Sequence, residues 1–166
     1  MAAQAAGPAI VPTIFFGGGT PSLLPAAQLA RIIDAIKSRF TLDKNIEITL
    51  EANPDSLTQE FLDEIKSARA TRISMGMQSA VGSVLKVLDR THNPENVERA
   101  VSMARAAGFE HVSVDLIYGS PGETMDEWRR SVEYALALDI DHISAYALIV
   151  EKGTKLAAQI NRGELT

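Results

Sequence analysis

The sequence contains no cysteine among its 166 residues. This absence excludes disulfide bonds, a thiol nucleophile, zinc sites built on thiolates, and an iron–sulfur cluster held by cysteines of this chain. Histidine is scarce as well. The three histidines, His92, His111 and His142, do not have the spacing of metal ligands, and we expect all three to be structural or surface residues. The sequence therefore predicts no metal-binding residue.

Long apolar runs are also missing. No stretch approaches the roughly 20 residues that a membrane-spanning helix needs, and residues 1–12 lack the basic flank and apolar centre of a secretory signal. The formal net charge of −5 argues against a general nucleic-acid surface, which is normally basic. We therefore expect a cytoplasmic protein with no nucleic-acid partner, and nothing in this segment indicates membrane association.

The residues that are present suit one α/β domain. Hydrophobic residues make up 46% of the chain, which is ample for a packed core, and the pattern alternates short apolar runs with longer helical stretches. The predicted strands are Thr13–Phe16, Ile46–Glu51, Arg72–Gln78, His111–Tyr118 and His142–Ile149. The predicted helices are Pro25–Phe40, Thr58–Ala68, Val81–Leu88, Pro94–Ala107, Met125–Leu138 and Thr154–Arg162. Residues 1–12 are predicted to be irregular and residues 13–166 to form the domain.

The strand pattern separates the two parallel-sheet architectures. Ile48 and Leu50 share one face of their strand while Glu51 lies on the other, and Val114 and Asp115 likewise point to opposite faces. An open, doubly wound sheet is covered by helices on both sides and is apolar on both. A barrel has apolar outer faces under its helices and an inner face that can be polar. The alternation therefore favours a barrel, of which about five strands are present.

Polar residues lie at the carboxyl ends of the predicted strands, which is where barrel enzymes place their active sites. Glu51, Gln78 and Asp115 lie within or at the end of strands on the inner face. Helix capping accounts for other polar residues near strand ends but does not account for these three. We therefore expect them to bind a ligand.

A glycine run, Gly17–Thr20, follows the first predicted strand and is followed by Pro21. Glycines there let the backbone approach a ligand closely. The run is not a Walker loop, because no Gly-Lys-Ser/Thr follows, and Pro21 interrupts the spacing of a dinucleotide-binding fingerprint. By itself, such a run is equally typical of a tight turn.

Several sequence strings, taken together and in order, identify a family. They are Gly17–Ser22 (GGGTPS), Leu50–Pro54 (LEANP), Ser74–Ser79 (SMGMQS), Asp89–His92 (DRTH), Asp115–Thr124 (DLIYGSPGET) and Ser144–Leu148 (SAYAL). Over Thr13 to Leu165 the chain resembles the branch of radical S-adenosylmethionine (SAM) proteins that contains heme chaperones of the HemW type and oxygen-independent coproporphyrinogen III oxidases of the HemN type. The resemblance implies a radical SAM (β/α) barrel.

The resemblance also assigns the candidate binding residues. It implies that Gly18, Gly19 and Thr20 bind the methionine end of SAM. It implies further SAM contacts at positions that match the family pattern, namely Glu51, Gln78, Arg90 and Asp115. Carboxylates accept hydrogen bonds from an ammonium or from ribose hydroxyls, and an arginine pairs with a carboxylate. Without the resemblance, Arg90 would be interpreted as a solvated surface charge.

The family holds a [4Fe–4S] cluster on a Cys-x3-Cys-x2-Cys loop after its first strand, and that loop is not found in this sequence. We expect the chain to be a fragment that lacks the first strand, the cysteine motif and the C-terminal region of the family. No catalytic residue is assigned, and the fragment is expected to be inactive without the cluster cysteines.

Two functions of the full-length protein remain open. The HemW type is indicated by the sequences of Glu51–Pro54 (EANP) and of Tyr146–Glu151 (YALIVE), the latter followed by Gly153-Thr154. This resemblance implies SAM, a [4Fe–4S] cluster and heme as cofactors, and a heme-receiving apoprotein as partner. The alternative is an oxidase that decarboxylates coproporphyrinogen III to protoporphyrinogen IX in heme biosynthesis, with a porphyrinogen as substrate. An unrelated barrel enzyme with a phosphate site is a third possibility.

Overall fold

A computed structural model of the chain describes residues 10–90 and 93–165. Its strands are β1 (Ile10–Phe16), β2 (Thr41–Ala52), β3 (Arg72–Gln78), β4 (His111–Tyr118) and β5 (His142–Ala147). Its α-helices are α1 (Ala26–Lys37), α2 (Gln59–Ser67), α3 (Gly82–Val87), α4 (Pro94–Ala106), α5 (Met125–Ala137) and α6 (Lys155–Asn161). Two short 3-10 helices, Pro21–Leu23 and Pro54–Ser56, follow β1 and β2.

The five strands form one parallel sheet in chain order, each strand pairing with the next. The sheet curves into a half-barrel with the helices on its outer side, as the alternating strand pattern predicts. No helix in the described part of the chain is both long and apolar enough to cross a membrane.

Local sequence sets the helix boundaries. Four helices begin at a polar residue whose side chain accepts a hydrogen bond from a backbone N–H in the first turn: Thr58 caps α2, Asn93 caps α4, Thr124 caps α5 and Thr154 caps α6. α4 is followed by Gly108, whose φ of +88° lies in the left-handed region that favours glycine. These signals explain why the helices lie close to the predicted ranges.

The core lies between the sheet and the helices. The outward faces of the central strands are fully buried, as shown by Ile73, Met75, Val112 and Val114, each 0% exposed. Helix residues that pack in the same core cluster include Leu29, Ile33, Leu62, Ile65, Val97, Ala100 and Ala104. Burial of this apolar surface is the main stabilising contribution to the fold.

Two strands begin earlier than predicted. β1 starts at Ile10 and β2 at Thr41, and the pairing shifts register between Val11 and Thr13, because Val11 pairs with Leu42 whereas Thr13 pairs with Glu47. Apart from Leu42, the extra residues of β2 are polar, and most of them are exposed, so they carry no alternating hydrophobic signal. Of the segment predicted to be irregular, residues 10–12 lie in β1, and residues 1–9 lie outside the described residues.

Candidate functional site

The carboxyl ends of β1 to β4 surround a cavity of about 220 Å³ on the inner face of the sheet. Side chains or backbone from four successive strand ends contribute to it, together with one residue that follows α3. The lining residues are Gly19, Thr20, Pro21, Glu51, Ala52, Asn53, Ser74, Gly76, Gln78, Arg90 and Asp115. Glu51, Gln78 and Asp115, which the strand alternation predicts to lie on the inner face, all line this cavity.

The glycine loop after β1 is held against the end of β2. Gly18 and Gly19 have φ values of +86° and +57°, which favour glycine, and they lead into the 3-10 helix that starts at Pro21. The backbone N–H of Gly18 donates to Oε2 of Glu51 at 3.1 Å. Gly18 therefore touches a cavity residue rather than lining the cavity itself, whereas Gly19 and Thr20 line it directly.

Gln78 reaches the cavity through an irregularity at the end of β3. The pairing of β3 with β4 shifts register between Gly76 and Gln78, and Gln78 has a φ of +64°, which is uncommon for a non-glycine residue. A Cβ at Gly76 would lie 2.7 Å from Nε2 of Gln78. The side-chain amide of Gln78 therefore lies over Gly76, in space that any larger residue would occupy. Bulges of this kind redirect a side chain next to a site.

Asp115 lies half-buried on the inner face of β4. The hydroxyl of Ser74 donates to both of its carboxylate oxygens, at 3.3 Å and 3.4 Å. Burial raises the pKa of Asp115, and the nearby negative charge of Glu51 acts in the same direction. Hydrogen bonds from Ser144 and Ser74 and the charge of Arg72 act against this rise in pKa.

Arg90 and Asn53 complete the polar lining. Arg90 is exposed, and it follows Asp89, whose φ of +55° turns the chain after α3. Asn53 is fixed by two contacts, because its N–H donates to Oγ of Ser22 at 3.2 Å and its side chain accepts from the N–H of Asp55 at 3.0 Å. The cavity thus contains two carboxylates, one guanidinium and two side-chain amides.

The structure brings together the predicted site residues and adds several that the sequence analysis did not single out. Ser74 and Gly76 share the inner face of β3 with Gln78, so the alternation that identified Gln78 was the signal for them too. His111 and His142 are exposed at the amino ends of their strands, and His92 lies outside the described residues. Among residues 10–90 and 93–165, no cluster of three or more potential metal ligands occurs.

Comparison with known families decides the affiliation. Residues 1–135 match the family model described as the radical SAM superfamily. The chain belongs to the radical SAM superfamily. Membership implies SAM and a [4Fe–4S] cluster as the cofactors of the family.

Among curated relatives, this radical SAM chain is similar to the heme chaperone HemW of Mycobacterium tuberculosis, with 49% identity over 155 residues. The match covers 93% of the chain and 40% of the relative. HemW of Lactococcus lactis is 40% identical over 153 residues, covering 92% of the chain and 40% of that protein. The chain therefore spans about two fifths of the length of the curated relatives that it matches.

Among solved structures, the coproporphyrinogen III oxidase HemN of Escherichia coli superposes with a TM-score of 0.81 at 28% identity, covering 95% of the chain and 36% of HemN. Elp3 of Methanocaldococcus infernus superposes with a TM-score of 0.78 at 21% identity, covering 93% of the chain and 41% of Elp3. The Elp3 match shows the shared fold alone. The HemN match places the half-barrel among radical SAM barrels.

Proposed function

We propose that this chain is the SAM-binding part of a heme chaperone of the HemW type. The observation that carries the proposal is the polar cavity at the carboxyl ends of β1 to β4, in a chain 49% identical to a HemW over 155 residues. The heme-handling function belongs to the full-length protein, of which this chain covers about two fifths.

The residues around the cavity fit the chemistry of SAM. SAM has an ammonium, a carboxylate, a sulfonium and two ribose hydroxyls, so it needs acceptors, one cationic partner and polar backbone. Glu51 and Asp115 supply acceptors, Arg90 supplies the cation, and Gln78 supplies both a donor and an acceptor. Gly18 and Gly19 carry no side chains, and an added Cβ at either would meet nothing within 4 Å, so a ligand can approach the loop backbone closely. Two carboxylates against one guanidinium also suit a ligand with net positive charge.

The [4Fe–4S] cluster does not fit the residues of this chain. Biological clusters of this kind are held mainly by cysteine thiolates, and the sequence has none. In the superfamily, SAM and the cluster together supply radical chemistry. Anaerobic reconstitution of these 166 residues with iron and sulfide is expected to give no cluster absorption and no 5′-deoxyadenosine from SAM, and cleavage above background would contradict this.

The assignment of heme as cargo rests on the relatives. Identity to two HemW proteins is 49% and 40%, whereas identity to HemN is 28%. The alternative, an oxygen-independent coproporphyrinogen III oxidase, is favoured by the superposition on HemN with a TM-score of 0.81. We propose the chaperone, which binds heme and delivers it to an apoprotein, as the function of the full-length protein.

The SAM proposal is tested by titrating SAM into the isotopically labelled chain and following backbone amide shifts. Weak binding is expected, with shifts concentrated at Gly18, Gly19 and Gln78. The variant Glu51→Ala is expected to weaken binding, and Glu60→Ala, an exposed change on α2, serves as the matched control. Shifts that avoid the cavity, or a Glu51→Ala variant that binds like the wild type, would overturn the SAM site.

The heme proposal is tested in a hybrid in which this chain replaces the matching 155 residues of Mycobacterium tuberculosis HemW. The hybrid is expected to bind heme and to pass it to an apoprotein. A second hybrid, in which this chain replaces the matching part of Escherichia coli HemN, tests the alternative. This second hybrid is expected to be inactive as an oxidase. Decarboxylation of coproporphyrinogen III by the second hybrid, together with loss of heme transfer by the first hybrid, would favour the oxidase.

A further inference from the structure

A chain of hydrogen bonds runs along the inner face of the sheet and ends at the cavity. Nη2 of Arg72 donates to Oγ of Ser113 at 2.9 Å, and the hydroxyls of Ser113 and Ser74 are 2.7 Å apart. The hydroxyl of Ser74 in turn contacts both carboxylate oxygens of Asp115. Ser74 and Asp115 line the cavity, whereas Arg72 and Ser113 lie outside it. The chain therefore connects a cation beyond the cavity to a carboxylate within it.

The direction of these bonds is fixed by elementary donor and acceptor chemistry. A guanidinium only donates, so Ser113 accepts from Arg72. A hydroxyl has a single hydrogen, and that of Ser74 is used toward the carboxylate of Asp115. The bond between the two serines is then made by the hydrogen of Ser113. Every donor in the chain consequently points toward Asp115, which is the arrangement that favours its ionised form.

The serines of the chain are deeply buried, with Ser113 at 0% and Ser74 at 5% exposure. Buried hydroxyls are costly unless they are hydrogen-bonded, and a network whose members are all satisfied fixes the positions of its members. Ser144, which pairs with Asp115 across β4 and β5, adds a further hydrogen bond to the carboxylate. The serine hydroxyls therefore hold the carboxylate of Asp115 on the sheet, and the side of the carboxylate that faces the cavity is left open.

Other charged and titratable groups also face Asp115. Those groups are Glu47 and Glu51 on β2, Arg72 on β3, Arg90 after α3, and His142 and Tyr146, which lie on the same face of β5 as Ser144. Glu51 opposes ionisation of Asp115, and Arg72 favours it. Arg72 therefore acts on Asp115 in two ways, directly through its charge and through the hydrogen bonds of the two serines.

We propose that Arg72, Ser113 and Ser74 are positioning residues that hold the carboxylate of Asp115 ionised and aimed at the cavity, so that it accepts hydrogen bonds from hydroxyl or ammonium groups of a bound ligand. The identity of that ligand as SAM rests on the proposed function. The positioning chain itself is a property of the unliganded protein.

The first test is the pKa of Asp115, measured from its carboxyl ¹³C shift in the unliganded chain. Arg72→Met and Ser113→Ala are each expected to raise this pKa above the wild-type value, and Arg72→Lys, which keeps a cationic donor, is expected to return most of the difference. Ser131→Ala is the matched control. Ser131 and Ser79 form a second buried serine pair, with hydroxyl oxygens 2.9 Å apart, and neither residue lines the cavity. An unchanged pKa of Asp115 in Ser113→Ala would overturn the proposal, because Arg72→Met also removes a charge that acts on Asp115 directly.

The second test is the pH profile of SAM binding. Ser113→Ala is expected to weaken binding by about threefold to tenfold at a pH near the Asp115 pKa measured in the first test, the range for loss of one hydrogen bond in a charged network. The loss should be much smaller at a pH well above that pKa, where the carboxylate is ionised in both proteins. A loss that is equal at both pH values would show a merely structural role and would overturn the proposal. If the wild type binds no SAM while the variants still raise the pKa of Asp115, the proposed function fails and the positioning chain stands.

Discussion

The backbone N–H of Gly18 and the carboxylate of Glu51 are joined by a hydrogen bond of 3.1 Å, which fixes the glycine loop after β1 to the end of β2. The loop has no side chains of its own to anchor it between Gly17 and Gly19. Its position at the cavity therefore depends on a residue 33 positions away in sequence.

Glu51→Ala is expected to loosen this loop, because the N–H of Gly18 loses its acceptor. One exposed hydrogen bond contributes about 0.5–1.5 kcal/mol, so exchange of the Gly18 amide with solvent should become about twofold to tenfold faster. Amide exchange by NMR is the measurement. Glu47→Ala is the control, because Glu47 lies on the same strand face and its side chain accepts a hydrogen bond from Oγ1 of Thr49 rather than from the loop. Unchanged exchange at Gly18 would show that the loop is held by other contacts.

Gly76→Ala is expected to weaken SAM binding with little change in the free energy of unfolding. The new Cβ would lie 2.7 Å from Nε2 of Gln78, which is the far end of a flexible side chain and can move away. The free energy of unfolding should therefore change by less than about 1 kcal/mol, while SAM binding weakens because the amide of Gln78 is displaced. Gly82→Ala, where a Cβ would meet nothing within 4 Å, is the control. Binding equal to that of the wild type would mean that the position of the Gln78 amide is unimportant.

The sequence predicts the central strands well and the cavity contacts poorly, for physical reasons. β3 and β4 have the predicted bounds because their apolar faces alternate strictly under the helices. The first part of β2 carries no such alternation, since most of its residues are polar and exposed beside the edge strand β1. β5 ends at Ala147 rather than Ile149, whose side chain is 76% exposed.

The placement of Glu51, Gln78 and Asp115 on one inner face follows from strand alternation and was predictable. The left-handed φ of Gln78 was not, because glutamine has no preference for that conformation and the bulge depends on pairing between β3 and β4. The link between Ser74 and Ser113 was also out of reach, since it requires the register of two strands separated by 39 positions.

Asp141→Ala is expected to destabilise the fold at neutral pH. Oδ1 of Asp141 accepts from the N–H of Val112, and Oδ2 contacts Nδ1 of His111, each at 2.6 Å, so the residue before β5 is tied to the start of β4. A loss of about 1 kcal/mol is expected from urea unfolding at pH 7, because the exposed setting weakens these bonds. Asp139→Ala, at an exposed carboxylate near Arg105, is the control and should have less effect.

The pH dependence of that effect has a definite sign. Desolvation acts to raise the pKa of Asp141, but the hydrogen bonds from His111 and Val112 outweigh it, and the pKa is lowered from 3.8. A carboxyl whose pKa is lower in the folded state stabilises the fold above its unfolded pKa, and this contribution is lost as the pH falls through the folded pKa. The difference between the wild type and Asp141→Ala should therefore shrink below pH 4. A difference that grows in acid would contradict the assignment.

Asp115→Asn is expected to stabilise the fold at neutral pH, in contrast to Asp141→Ala. Burial, together with the charge of Glu51, raises the pKa of Asp115 above 3.8 in the folded state, so the ionised carboxylate costs stability at neutral pH. The wild type becomes relatively more stable as the pH falls through the raised pKa toward the unfolded value. Asn has nearly the same shape, still accepts from Ser74 and carries no charge. The variant should therefore be more stable than the wild type at pH 7, by an amount that narrows toward pH 4, in urea unfolding at both pH values.

The same substitution should weaken SAM binding, because the cavity loses one of its two carboxylates. A substitution that increases the stability of the fold and weakens ligand binding indicates that the original residue serves ligand binding rather than folding. Glu47→Gln, on the inner face of β2 but outside the cavity lining, should change neither quantity appreciably. An Asp115→Asn variant that is less stable than the wild type at pH 7 would show that the hydrogen bonds to the carboxylate outweigh its desolvation, and that the residue serves the fold.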